Sequence, residues 1–173
     1  MKGLLLTIGA LAAASSLAFG VNGARAANHS AGTGTKVAVT SSGLGRILVD
    51  GRGRTLYLFE NDKRGKSTCT GHCASFWPPL IASGKPLATA GAKTSLLGTT
   101  KRGDGRLQVT YNHHPLYTFV NDIRKGQTNG EAVDAFGAEW YAVSPGGAKV
   151  EKTDASSSGG SGGGDPAPGG YGY

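Results

Sequence analysis

Apolar residues recur at every second position through short runs of the chain. In GRILVD (45–50) Ile47 and Val49 share one side, and in GRLQVTY (105–111) Leu107, Val109 and Tyr111 do the same. TLYLF (55–59) sets Tyr57 beside Phe59, and PLYTF (115–119) sets Tyr117 beside Phe119. A period of two marks a β-strand with one buried face. Between the paired runs lie DGRGR and YNHHP, whose Asp-Gly and Asn content suits tight hairpin turns. KVAVTSS (36–42), LLGTTKR (96–102), WPPLIAS (77–83) and WYAVS (140–144) are further strand candidates, with Pro78 and Pro79 making the third irregular or an edge. No window sustains a 3.6-residue period, although CTGHCASFW suits one helical turn. The pattern predicts about eight mostly antiparallel strands.

The runs occur twice. With 45–62 set over 105–122, eight of eighteen positions are identical: Gly, Arg, Val, Leu, Tyr, Phe, Asn and Asp. Arg64 then matches Arg124, Thr68 matches Thr128, and a three-residue insertion brings Trp77 opposite Trp140. This is a duplication with a period near sixty residues, the copies spanning 36–95 and 96–150. Two meanders that each bury an aromatic face must cover one another. The predicted fold is all-β, a β-sandwich or flattened barrel with pseudo-twofold symmetry.

The ends of the chain read differently. Residues 1–26 have a cationic start at Lys2, an apolar run from Leu4 to Val21 and small residues at Ala24 and Ala26, the pattern of a cleaved secretory signal. An uncleaved anchor is the alternative. No cysteine follows the run to carry a lipid. Residues 27–35 form a linker, and the Gly- and Ser-rich 151–173 lack the apolar surface to offset ordering entropy. The folded part is therefore expected within 36–150, a single β domain with no membrane span once the signal is removed. The net charge is +7, or +5 without residues 1–26, and it is spread rather than striped. That distribution argues against nucleic acid and suits a solvated surface or an anionic envelope polymer.

The repeated Y-x-F-x-x-D, the intervening C-x3-C before WPPL and the GQTNG…WYAVSP ending resemble a bacterial secreted-repeat, lipoprotein-like family with a Yx(FWY)xxD motif. The resemblance covers nearly all of 36–150. It implies an exported or envelope-attached β-rich domain of unassigned molecular function. This chain departs from many relatives in lacking a lipobox cysteine, and His113 stands where the family's second-copy turn often has Gly after Asn112.

The candidate chemistry is limited. Cys69 and Cys73, four residues apart in an exported chain, read as a disulfide contributing about 2 kcal/mol. A redox or metal site with His72 is the alternative. His29, His72, His113 and His114 give no zinc spacing; adjacent strand residues such as His113 and His114 face opposite ways. Asp62 and Asp122 suggest paired catalytic carboxylates, but equivalent repeat positions predict similar environments where acid and base need unlike ones. With Asn61 and Asn121 they read instead as caps on the loops that follow. Tyr57, Phe59, Tyr117, Phe119, Trp77 and Trp140 read as core, with a ligand cleft between the copies as the alternative. No nucleophile, phosphate-loop or dinucleotide motif is present, and no cofactor is implied. The expected role is non-catalytic binding or scaffolding in the envelope, with an envelope protein or anionic surface polymer as partner. Redox or metal handling, or an enzyme acting on envelope polymers, are the alternatives.

Overall fold

The computed structural model describes residues 33–151. Residues 1–26, most of the 27–35 linker, His29 and the tail from 152 lie outside the described residues.

Strands β1 (Lys36–Ser42) and β2 (Gly45–Asp50) form an antiparallel hairpin, and β4 (Leu87–Ala88) adds to β1 in parallel. In the second copy β5 (Leu97–Lys101) pairs with β6 (Leu107–Tyr111), which pairs with β7 (His114–Pro115). The third sheet joins the copies: β3 (Tyr57–Phe59) lies against β9 (Ala138–Ala142), which returns to β8 (Val133–Ala135). Among the described residues the one α-helix, the short α1 (His72–Phe76), falls in the CTGHCASFW stretch. The fold is all-β, in three open sheets that do not close into the barrel expected as one alternative.

The copies are interlocked. Past Trp77 the chain leaves its own copy: Leu80 N–H donates to Leu116 O at 2.8 Å and Val109 N–H donates to Leu80 O at 2.8 Å. Past Trp140 the reverse occurs, with Val143 N–H to Leu56 O at 3.1 Å and Leu48 N–H to Val143 O at 2.7 Å. At the centre Tyr57 and Tyr117 exchange backbone hydrogen bonds of 2.9 and 3.0 Å, marking a local twofold axis.

These bonds also correct the ungapped alignment. Leu116 N–H donates to Val109 O, whereas its mate Leu56 donates to Leu48 O, not to Val49. The turn after β2 is one residue longer than the turn after β6, so Leu48 matches Val109 and Ile47 matches Gln108. Leu107, expected inside with Val109 and Tyr111, is accordingly exposed at the strand's start.

Strand β3 is buried on both faces. Leu56 and Leu58 join Val37, Leu48, Val109, Leu116 and Val143 in one core, while Tyr57 and Phe59 enter a second with Ile47, Trp77, Tyr117 and Trp140. The two-residue turn before β7 uses Asn112 (φ 47°) and His113 (φ 67°), both left-handed. Asn tolerates that conformation, whereas a bulkier side chain is strained in it. His113→Gly is expected to stabilise the chain by about 1 kcal/mol in urea denaturation.

Candidate functional site

The two copies of the motif meet at the local axis and exchange partners. Tyr57 Oη donates to Asp122 Oδ2 at 2.6 Å, and Tyr117 Oη donates to Asp62 Oδ2 at 2.7 Å. Each carboxylate uses its other oxygen on the loop that follows it. Asp62 Oδ1 accepts from Thr68 N–H (2.7 Å) and Oγ1 (3.0 Å), and Asp122 Oδ1 accepts from Asn129 N–H (2.9 Å). Asn121 supplies its carbonyl to Asn129 Nδ2, and Asn61 sits half-buried at the same place in the first copy. The tyrosine finds the aspartate of the other copy because each trailing strand crosses over.

Burial pushes both aspartates above the ordinary carboxylate range, against the Thr68 and Tyr117 bonds and the Arg102 charge for Asp62, and the Tyr57 and Asn129 bonds for Asp122. Burial likewise raises both phenols, reinforced by the facing carboxylates. The two pairs thus titrate in the same sense, unlike an acid–base couple, whose members are pushed apart. Tyr57→Phe or Tyr117→Phe leaves a desolvated carboxylate short of a donor. Each is expected to cost about 2 kcal/mol in denaturant titration, and a cost below about 0.5 kcal/mol would contradict this account.

Below the pairs lies an aromatic stack. Phe59, Trp140, Trp77 and Phe119 follow one another with ring centroids 4.0, 4.0 and 4.2 Å apart and interplanar angles of 9°, 5° and 20°. Tyr57 meets Trp77 edge-on and Tyr117 meets Trp140 edge-on. Cys69 and Cys73 form a disulfide buried in the same core. Thr68 N–H and Asn129 N–H take the same place on the two carboxylates, so Thr68 matches Asn129 rather than Thr128, and Cys69 occupies the counterpart of Gly130, where an added Cβ would lie 2.7 Å from the Trp77 ring.

A polar network with no counterpart in the other copy braces the first pair. Arg102, buried, donates to Ser67 Oγ (2.7 Å), Gln108 Oε1 (2.6 Å) and Cys69 O (2.7 Å), and Tyr117 Oη also bonds Ser67 Oγ (2.7 Å). Arg102, Gln108 and Ser67 escape a reading based on the repeat because they are what the copies do not share. The one available signal is the polar Gln108 between Leu107 and Val109.

Asp62 and His114 are shared by two surface clefts. One, of about 470 Å³, also has Leu58, Phe59, Glu60 and Lys149; the other, of about 420 Å³, has Arg64, Asn112 and His113. Burial pushes His114 below the usual imidazole value, opposed by the Asp62 charge and helped by His113. A histidine held low binds fewer protons folded than unfolded, so its stabilisation is present above its unfolded value, near pH 6.5, and is lost as pH falls below it. His114→Gln is therefore expected to flatten the loss of stability between about pH 7 and pH 5, read as Tm against pH. A third depression of about 350 Å³, between Gly84–Pro86 and Leu97–Thr99, has Lys85 as its only charged side chain.

His72 lies elsewhere, on α1, edge-on to Phe76 and Phe136. Among the described residues no cluster of three or more His, Cys, Asp or Glu is placed to hold a metal ion, and no helix is long and apolar enough to cross a membrane.

Interlocked copies, reciprocal tyrosine–aspartate bonds and a shared aromatic stack define a two-repeat all-β protein whose motif bridges the copies. Residues 38–81 and 98–144 match the family described as a secreted repeat of unknown function, and the chain belongs to that family. No curated protein and no solved structure matches the chain.

Proposed function

We propose that the chain works outside the bacterial cytoplasm as a non-catalytic binding or scaffolding module of the cell envelope. One observation carries this reading: in both copies the motif carboxylate is engaged at both oxygens, by a phenol of the other copy and by its own loop. Groups committed in this way hold the copies together and are not free to exchange protons with a substrate. The membership in a secreted family supports the location. The partner class is an envelope protein or an anionic surface polymer, and the dispersed positive charge favours the polymer.

The test uses the exported chain with isolated native envelopes. The chain is expected to be retained on them and to release no soluble fragment. Asp62→Asn and Asp122→Asn are expected to keep that retention while lowering Tm. Release of envelope fragments that disappears in either variant would overturn the reading in favour of an enzyme.

A further inference from the structure

The local twofold symmetry fails at one surface. Glu60 N–H donates to Glu139 O at 3.1 Å, and the mate of this bond is Val120 N–H to Phe76 O, also 3.1 Å. The same backbone position therefore carries two acidic side chains on one half and two apolar ones on the other. Three residues on, the loop after Asp122 is one residue longer than the loop after Asp62, Lys63 matching Arg124, and the extra residue is Ile123, 79% exposed. The fold accepts acidic side chains at the places of Phe76 and Val120 and does without Ile123 in the first copy, so packing demands none of the three.

The apolar half extends to a third segment. Phe76 and Phe136 are 42% and 41% exposed with ring centroids 6.1 Å apart, and His72 lies edge-on to both at 5.0 and 5.9 Å. Phe136 opens the β8–β9 turn at φ 62°, a left-handed conformation that an aromatic residue adopts under strain. Strain that exposes an apolar ring points to a use for the ring.

Cations adjoin Ile123. Arg124 and Lys125 follow Ile123, and the Lys125 stem lies over Gly53, next to Arg52; all three cationic residues are exposed. Asp50 is paired with Arg54, and Asp122 is buried on Tyr57. Asp134, on β8, is the nearest acid in sequence to Phe136.

We propose that this face docks on an anionic lipid surface. Phe76, Val120, Ile123 and Phe136 enter the boundary between headgroups and acyl chains, while Arg52, Arg124 and Lys125 meet the lipid phosphates. Separate apolar tips with cations adjoining Ile123 suit a soft, negatively charged layer. The inference deepens the proposed envelope role and rests on its location outside the cytoplasm.

The exported chain is expected to sediment with phosphatidylglycerol-containing vesicles, less so as salt rises, and weakly with pure phosphatidylcholine. A triple variant, Phe76→Ser, Val120→Ser and Ile123→Ser, is expected to weaken this by about ten-fold or more at unchanged net charge. Arg124→Gln with Lys125→Gln is expected to remove much of the salt dependence. Ile123→Ser alone, at the most exposed site, serves if the triple variant fails to fold. No sedimentation of the native chain with phosphatidylglycerol, or equal sedimentation of the serine variant, would overturn the proposal. A dimer in sedimentation velocity that the serine variant dissolves would assign the face to a second copy. Failure on vesicles leaves retention on envelope polymer intact, whereas fragment release from envelopes would strike the functional reading and not the lipid face.

Discussion

Replacing Trp140 with alanine is expected to lower the stability of the chain by about 4 kcal/mol. The indole is fully buried, stacked 4.0 Å from Phe59 on one side and 4.0 Å from Trp77 on the other, with Tyr117 edge-on at 5.1 Å. Its Nε1 donates to Ala135 O at 3.1 Å, so truncation also leaves a carbonyl without its donor. A stack of flat rings clamped from both faces cannot collapse into the gap, which places the cost high in the range for aromatic truncation. Domains of this size are typically stable by about 5–15 kcal/mol, so the variant should sit close to unfolding at ambient temperature. Trp77→Ala should behave alike, and the double variant should cost less than the sum because the two rings lose the same contact. Urea titration reads all three; a loss below about 1 kcal/mol for Trp140→Ala would contradict the packing described.

The second large effect concerns the copies as units. Residues 36–95 and 96–150, made separately, are each expected to be unfolded, and mixing them is expected to restore strand structure. The segment around Leu80 takes its partners from Val109 and Leu116, and β9, besides β8 of its own copy, pairs with β3 of the other. Alone, either half would expose one face of its aromatic strand and leave a motif carboxylate without its phenol. Far-UV circular dichroism and amide dispersion of each half and of the mixture test this. A half that unfolds cooperatively by itself would show that the exchange of strands is not what holds the copies.

Much of this architecture was legible. The runs at 36–42 and 45–50 became strands over the same residues, because a two-residue period with β-branched residues reports its own local geometry. The helical turn within CTGHCASFW and the bridge between Cys69 and Cys73 are also legible in the sequence. What escaped was set by contacts distant in sequence. PLYTF was read as a strand like TLYLF, yet only His114–Pro115 is regular there, since Tyr117 bridges both Tyr57 and Pro79 at the axis. The strands at 87–88 and 133–135 are two and three residues long, too short to leave a period. The reciprocal pairing of tyrosine with the other copy's aspartate was invisible for the same reason. A repeat motif shows that two places are alike, but carries no mark that they are neighbours.

The crossing strands have a consequence for assembly. Every contact that one copy makes with the other inside a chain is also available between the first copy of one molecule and the second copy of another. The segment from Ile81 to Leu97 decides between them, because it must let the chain turn back on itself. Shortening it would favour a domain-swapped dimer with both aromatic stacks rebuilt across the pair. At high concentration, open exchange of halves would run on into a chain of linked molecules, with the reciprocal tyrosine–aspartate bonds as its joints.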